Sequence, residues 1–416
     1  MAQRIIFHID VNSAYLSWES IWRIQHGDPL DLRTIPSAIG GNPETRHGII
    51  LAKSIPAKEF GIQTGETLYS ALAKCPNLVI AKPNYRLYKQ CSSAMLSILK
   101  NYSPFIQQFS VDEFWVSYTN MEKLYGNPVQ AAYIIKDRIK NELGFTVNIG
   151  ISTNKLLAKV AGELKKPDMV HTLYPEEVPE KMWGLPVEDL FLVGPATAKK
   201  LRERNIKTIG ELAHTDVKLL RKFLKSHGEV IWNYAHGIDN SPIRPGGTII
   251  AKGYGNSTTI PFDIEDARTA HLVLLSLVET VSVRLRQDNV RGMLVAISFR
   301  STEFLNYSHQ RKIADPTDST NEIWEIACDL FDELWQGQPL RHLGIRVSEL
   351  CSNDFTQLSL FGRDTEKERK VDRTVDAIRE RFGVGAIVRS TYLHSGLNPI
   401  TGGVPEEDYP QMSSIL

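Results

Sequence analysis

Apolar and polar positions change period several times along the 416 residues. Residues 4–11 are an almost unbroken apolar run that ends at Asp10 and Val11, the pattern of a buried strand. Residues 12–23 then repeat apolar side chains at helical spacing. Residues 48–53 predict another strand, followed by a short helical turn to residue 60. Helical spacing returns at 68–73 and 85–99, and two strands around a polar turn are expected at 105–109 and 114–118. An amphipathic helix over 129–143, a strand over 147–151 and a helix over 154–164 complete a mixed α/β or α+β unit. From 175 to 237 the pattern is almost wholly short helices. Residues 240–247, with Asn, Pro and Gly, read as a linker. Beyond it the order is strand 249–259, helix 267–286, strands 293–299 and 306–313, helix 321–334 and strand 343–347. That β-α-β-β-α-β order fits a split sheet with two helices on one face. A tail follows, in which Val371, Val375, Ile378 and Phe382 fall on one helical face. This face either folds back on the body or meets another protein. Residues 396–416, rich in Gly, Pro and acid, are expected to be loose.

Composition narrows the class. Hydrophobic residues make up 42% and charged residues 23%, which excludes a wholly disordered chain, collagen and a membrane protein. No apolar run approaches the roughly 18 residues of a membrane helix, and the first residues lack a secretory pattern. The length suggests about three domains. Cys75, Cys91, Cys328 and Cys351 form no close pair, so neither a zinc cluster nor a disulfide framework is expected, and a cytoplasmic setting follows. Lys+Arg and Asp+Glu both total 48. Any attraction to nucleic acid must therefore come from local basic surface.

Three carboxylates carry the strongest chemical signal. Asp10 closes a buried strand, and Asp112 and Glu113 sit between two strand-like runs. An acid at the end of an apolar strand is costly unless solvated, paired or metal-bound. Three from neighbouring strands could hold two Mg²⁺ ions for phosphoryl transfer; the plainer reading is a pair of acidic turns. Lys58, in a turn after Pro56, and Lys166, just before Pro167, could offset triphosphate charge or be solvated helix-end lysines.

His8 to Asn12, Ser110 to Glu113 and Gly150 to Lys159 resemble the motifs of Y-family translesion DNA polymerases, the family of the bacterial DNA polymerase IV and UmuC-type enzymes. Residues 38–41 and 56–62 match its fingers region, and the resemblance runs in order from residue 4 to residue 361. It implies an α+β, multidomain, right-hand polymerase. A palm would span 1–20 and 78–173, small fingers 21–77, a helix-hairpin-helix thumb 174–240 and a split-sheet little finger 248–350. A tail, 351–416, would carry a clamp-binding peptide and an amphipathic helix. By the same resemblance Asp10, Asp112 and Glu113, with the Val11 carbonyl oxygen, hold two Mg²⁺ ions. Lys58 and Lys166 hold the incoming deoxynucleoside triphosphate, and Tyr15 is the steric gate that leaves no room for a 2′-hydroxyl. This chain departs from the pattern at Ala14, where an aromatic is usual, giving a roomier gate. Ile55 and Lys58 stand where Tyr and Arg are usual, so weaker or altered nucleotide selection is expected.

Residues 190–201 resemble the second half of a helix-hairpin-helix. Gly194 and Pro195 open a helix whose amides would bind a DNA phosphate without reading sequence. Leu192 replaces the usual first glycine, predicting a distorted hairpin. Residues 195–226 hold nine Lys and Arg, Lys199 and Lys200 among them, against three acids. This is a solvated helical face or a phosphate-binding one. Lys252, Arg291, Arg300, Arg311, Lys312 and Arg346 lie on or beside the split-sheet strands, and a subset could line one DNA-facing surface. Gln357, Leu358, Leu360 and Phe361 resemble a sliding-clamp-binding peptide, with an ordinary connector as the plainer reading. The expectation is a primer-extending, low-fidelity DNA polymerase, monomeric apart from the clamp and without a membrane partner. A catalytically weak or inactive DNA- and clamp-binding factor is the main alternative, and a palm-type nucleotidyl cyclase a remote one.

Overall fold

The computed structural model describes residues 4–41, 48–245, 251–353, 366–393, 395 and 397. The clamp-like peptide at Gln357, Leu358, Leu360 and Phe361 lies outside these. Two compact units divide the chain, chiefly Met1–Gly40 with Ile50–Ile249, and Ile250–Tyr409.

In the first unit, β1 (Ile6–Val11) is buried along its whole length, as its apolar run requires. A turn through Ser13, at φ +48°, starts α1 (Ala14–Gln25). β2 (Ser37–Gly40) and β3 (Ile50–Lys53) pair antiparallel. After α2 (Ile55–Glu59) and α3 (Leu68–Lys74), β4 (Val79–Ala81) joins β2 in parallel. The sequence pattern does not announce β2 or β4, because three or four residues are too short to show a period. α4 (Tyr85–Leu99), β5 (Ile106–Gln108), β6 (Glu113–Ser117), α5 (Glu122–Tyr125), α6 (Pro128–Leu143), β7 (Val147–Ser152), α7 (Lys155–Glu163) and β8 (Val170–Thr172) complete a five-stranded sheet of order β5-β6-β1-β7-β8. Phe7, Ile9, Val11, Phe114 and Val116 point into a core shared with Trp18, Tyr88, Met95 and Ile135 of the helices.

The other sheet face carries α7, and one glycine sets how closely it sits. A Cβ on Gly150 of β7 would come within 1.9 Å of the Ala158 carbonyl oxygen. No side chain fits there, so the helix lies directly on the strand. Asn154 caps α7 by accepting from the Leu157 amide at 2.8 Å, and its own amide donates to the Gly237 carbonyl. Short helices then follow: α8 (Val178–Lys181), α9 (Pro195–Arg202), α10 (Ile209–Ala213), α11 (Val217–Leu224) and α12 (Ser226–Ala235). Their apolar faces meet α7 residues Leu156, Leu157 and Val160 in a second core.

The second unit is the expected split sheet. β9 (Gly253–Ile264), α13 (Ala267–Gln287), β10 (Val290–Ser301), β11 (Asn306–Thr317), α14 (Thr320–Leu334) and β12 (Leu340–Ser352) form an antiparallel sheet of order β11-β10-β12-β9. α13 and α14 bury Leu274, Leu277, Val278, Leu330 and Phe331 against its Val295, Ile297, Phe299 and Ile345.

The tail helix, α15 (Glu366–Phe382), folds back on this unit, but not by its apolar stripe. Val371 and Phe382 are exposed, whereas Asp372 and Arg379 are buried. Arg369 donates to the fully buried Asp318 at 2.7 and 3.1 Å. Arg286 of α13 donates to Asp376 at 2.6 Å and to Asp372 at 3.2 Å. Asp372 also accepts from the Thr320 amide at the start of α14, and Arg379 reaches buried Glu279. Residues 369, 372, 376 and 379 repeat at helical spacing, so the docking face is ionic. Breaking a buried pair from one side leaves the other charge uncompensated, at a cost of about 3 kcal/mol or more. Arg286→Met should therefore lower thermal stability and speed amide exchange in α15, while strands β10 and β12 stay protected. Unchanged exchange in α15 would contradict an ionic dock.

Candidate active site

Strand alternation assembles the site. On β1 the side chains facing α7 are Ile6, His8 and Asp10, and their neighbours on β6 are Glu113 and Trp115. Asp10 stands directly opposite Glu113, and the Val11 amide donates to the Asp112 carbonyl at 3.2 Å. The structure thus brings Asp10, Val11, Asp112 and Glu113 to one end of the β1–β6 pair. Lys166, three residues past α7, donates to Asp10 Oδ2 at 2.5 Å and to Glu163 at 2.7 Å. Lys159 of α7 donates to Glu113 Oε2 at 2.6 Å. His8 Nε2 lies 3.3 Å from the same oxygen. Ser110 donates to Asp112.

These surroundings separate the acids electrically. Burial, together with the charge of Glu113, pushes Asp10 up to about 6 despite the opposing pull of Lys166. Asp112 is raised for the same two reasons, against its bond from Ser110. Burial also pushes Glu113 upward, but His8 and Lys159 outweigh it and hold Glu113 at about 2. Among the described residues no three acidic, histidine or cysteine groups converge closely enough to form a ready metal site. Ammonium groups sit on two of the acids instead. The donor set is nevertheless hard carboxylate oxygen, crowded and desolvated enough to favour an added cation.

Tyr15, on the first turn of α1, stacks face to face on Tyr88 at 4.5 Å and edge-on to Tyr85 at 6.0 Å. Its hydroxyl is raised to about 12, by burial first and by Asp112 second. Ala14 beside it is buried in the core. Ile55 and Lys58 on α2 are exposed. Farther along, Leu192 holds φ +71°. The hairpin therefore keeps the left-handed residue that glycine would supply, and the strain falls on a leucine. Gly194 caps α9 in an extended conformation, and a Cβ there would meet nothing within 4 Å. Lys199 and Lys200 are exposed. Arg202 and Arg221 are instead tied to Glu188 and Glu229, outside the counted window.

Residues 9–163 match the model of the impB/mucB/samB family, 175–206 the IMS family HHH motif, and 251–360 the impB/mucB/samB family C-terminal domain. The DNA polymerase IV of Clostridium acetobutylicum is 46% identical over 392 residues, covering 94% of this chain and 98% of that one. This chain belongs to the Y-family DNA polymerases. The DNA polymerase IV 2 of Bacillus subtilis is 35% identical over 400 residues, covering 94% of this chain and 95% of its own. A solved Y-family DNA polymerase chimera, Dbh-Dpo4(243-245)-Dbh, shares the fold at TM-score 0.70 and 19% identity, covering 84% of this chain and 100% of its own. The chain is therefore a DNA-directed DNA polymerase of the lesion-bypass type, with DNA and nucleotides as its substrates. The family's chemistry is metal-dependent nucleotidyl transfer. A non-catalytic binding factor is not favoured. Among the described residues no helix is long and apolar enough to cross a membrane.

Register sorts the polymerase's little-finger cations. Arg346 of β12 pairs with Ala296 of β10, so Arg346 and Arg300 share the open face. Arg311 pairs with Val295, whose side chain is buried under the helices, and its guanidinium meets Glu333 and Asp329 of α14. Arg291 is buried. Lys252 precedes β9, beside the sheet. Sequence reasoning missed Lys159 and His8 as partners of Glu113. The spacing of α7 gives its faces, but not which residue lands opposite β6.

Asp10 and Glu113 should respond oppositely to neutralisation. Asp10 titrates higher in the folded chain, so at pH 8 its ionised form costs the fold about 3 kcal/mol. Glu113 titrates lower, and its stabilisation of about 3 kcal/mol is present above pH 4.5 and lost as pH falls toward 2. In melting experiments at pH 8, Asp10→Asn should match or exceed the parent, with Lys166 keeping Glu163, and Glu113→Gln should fall below it. The reverse order would overturn the assigned electrostatics.

Proposed function

We propose that Asp10, Asp112 and Glu113, with the Val11 carbonyl oxygen, form the catalytic centre of this polymerase. The observation that carries this reading is that three acids, two of them with raised pKa, stand at the end of one strand pair, Asp10 directly opposite Glu113. Asp10, Asp112, Glu113 and the Val11 carbonyl oxygen would hold two Mg²⁺ ions, which when bound would lower the pKa of the primer 3′-hydroxyl and offset charge on the departing pyrophosphate. Lys166 already sits on Asp10; it turns to the triphosphate when nucleotide enters and leaves the Asp10 carboxylate free for a cation. Lys58, exposed on the fingers helix, supplies a point charge where the family's arginine would grip with a fork. Its neighbour Ile55 offers no hydroxyl, so triphosphate binding rests more heavily on Lys166 than is usual. Tyr15, braced by Tyr88, lies under the sugar and excludes a 2′-hydroxyl.

Template and primer are held by charge and backbone, not by base reading. Gly194, Lys199 and Lys200 contact phosphate at the thumb, and Lys252, Arg300 and Arg346 at the little finger. Arg311 is occupied by its acidic partners on α14 and contributes less. The domain bounds follow the sequence reading: palm 1–20 and 78–173, fingers 21–77, thumb 174–240, little finger 248–350. Gln357, Leu358, Leu360 and Phe361 dock on a sliding clamp, and the enzyme works in the cytoplasm as a monomer apart from that clamp.

Primer extension on undamaged and lesion-bearing templates with Mg²⁺ tests the centre. Asp112→Ala combined with Glu113→Ala should lose at least about 10³-fold in rate, since charge stabilisation supplies most of such catalysis, while primer-template binding stays near that of the parent. Extension at the parent rate would sink the assignment.

A further inference from the structure

Glu113 is gripped asymmetrically. Lys159 Nζ at 2.6 Å and His8 Nε2 at 3.3 Å both address Oε2. Among the described residues no hydrogen bond or ion pair falls on Oε1. The two donors come from different elements, α7 and β1, and neither is free to wander. Lys159 Nζ lies 5.2 Å from the ring centre of Phe109 and 5.6 Å from that of Phe191, so its ammonium head sits in an aromatic sleeve. Its side chain is only 15% exposed. His8 is fully buried, with Gly162 against its other face: a Cβ there would be 3.4 Å from Nδ1. A carboxylate held by one oxygen from two directions has its rotation fixed. The second oxygen then lies at the strand end, on the residue directly opposite Asp10.

We propose that Lys159, assisted by His8, is a positioning residue for nucleotidyl transfer: it pins one oxygen of Glu113 and so presents the other to the divalent cation. This inference rests on the assignment of Glu113 as a cation ligand. It differs from a plain counter-ion role, and the two roles predict opposite signs. A counter-ion repels a divalent cation, so removing it strengthens cation binding. A positioning residue orders its ligand, and losing such a hydrogen bond commonly weakens metal binding by about 10–100-fold.

The test is Mn²⁺ binding to the full chain, followed by electron paramagnetic resonance without DNA or nucleotide, alongside thermal melting. Lys159→Met keeps the stem and removes the donor. It should bind Mn²⁺ about tenfold more weakly or worse, and Lys159→Arg, which restores donor and charge, should recover most of the loss. Binding by Lys159→Met as tight as the parent's or tighter, or no recovery by Lys159→Arg, would overturn the proposal. If Lys159→Met does not fold, Phe191→Leu serves. It opens one wall of the sleeve without altering charge and must weaken Mn²⁺ binding in the same direction; unchanged binding also overturns the proposal. Glu113→Gln is the reference. Unaltered Mn²⁺ binding in that variant would mean that the ligand assignment has failed, independently of Lys159.

Discussion

Two carboxylates placed side by side at the closed end of a buried strand pair repel each other and resist losing water. The palm is arranged around that cost. Asp10 and Glu113 face the same side of the sheet because their strands pair in that register. The cations that answer them come from α7 and the turn after it. Those cations reach the acids only because Gly150 lets α7 lie on β7 without an intervening side chain. A single close backbone approach therefore sets the charge balance at this end of the strand pair. The same approach carries into the thumb, whose apolar core is continuous with the inner face of α7.

Much of this was legible in the sequence. An apolar strand ending in Asp10, and a second acid pair between two strand-like runs, are readable along the chain, and the pairing sets Asp10 opposite Glu113. The β-α-β-β-α-β order gave the second unit. Other features were hidden for physical reasons. β2 and β4 are too short to show alternation. Arg311 and Arg300 look alike along the chain, and only cross-strand register puts them on opposite faces. The tail helix misleads most: its apolar residues suggest a buried stripe, yet the contact is made by Arg369, Asp372, Asp376 and Arg379. Hydrophobic period reports burial only where burial is apolar.

The departures from the family pattern have different consequences. At Leu192 the backbone keeps its left-handed turn, so the hairpin survives the loss of glycine at the expense of local strain. At Ile55 and Lys58 the side chains themselves are changed and exposed, so the change falls on the surface and not on the core. Ala14 is enclosed in the palm core, while Tyr15 beside it keeps an aromatic brace in Tyr88.

The central claim is that the acids at positions 10, 112 and 113 together bind the divalent cations of the reaction. A crystal structure with primer-template, an incoming nucleotide and Mn²⁺, read by anomalous scattering, addresses it directly. The account predicts metal peaks about 2.0–2.3 Å from oxygens of Asp10, Asp112 and Glu113, with the Lys166 ammonium moved from Asp10 to a phosphate. Peaks elsewhere, with Lys166 still on Asp10 beside a bound nucleotide, would contradict it.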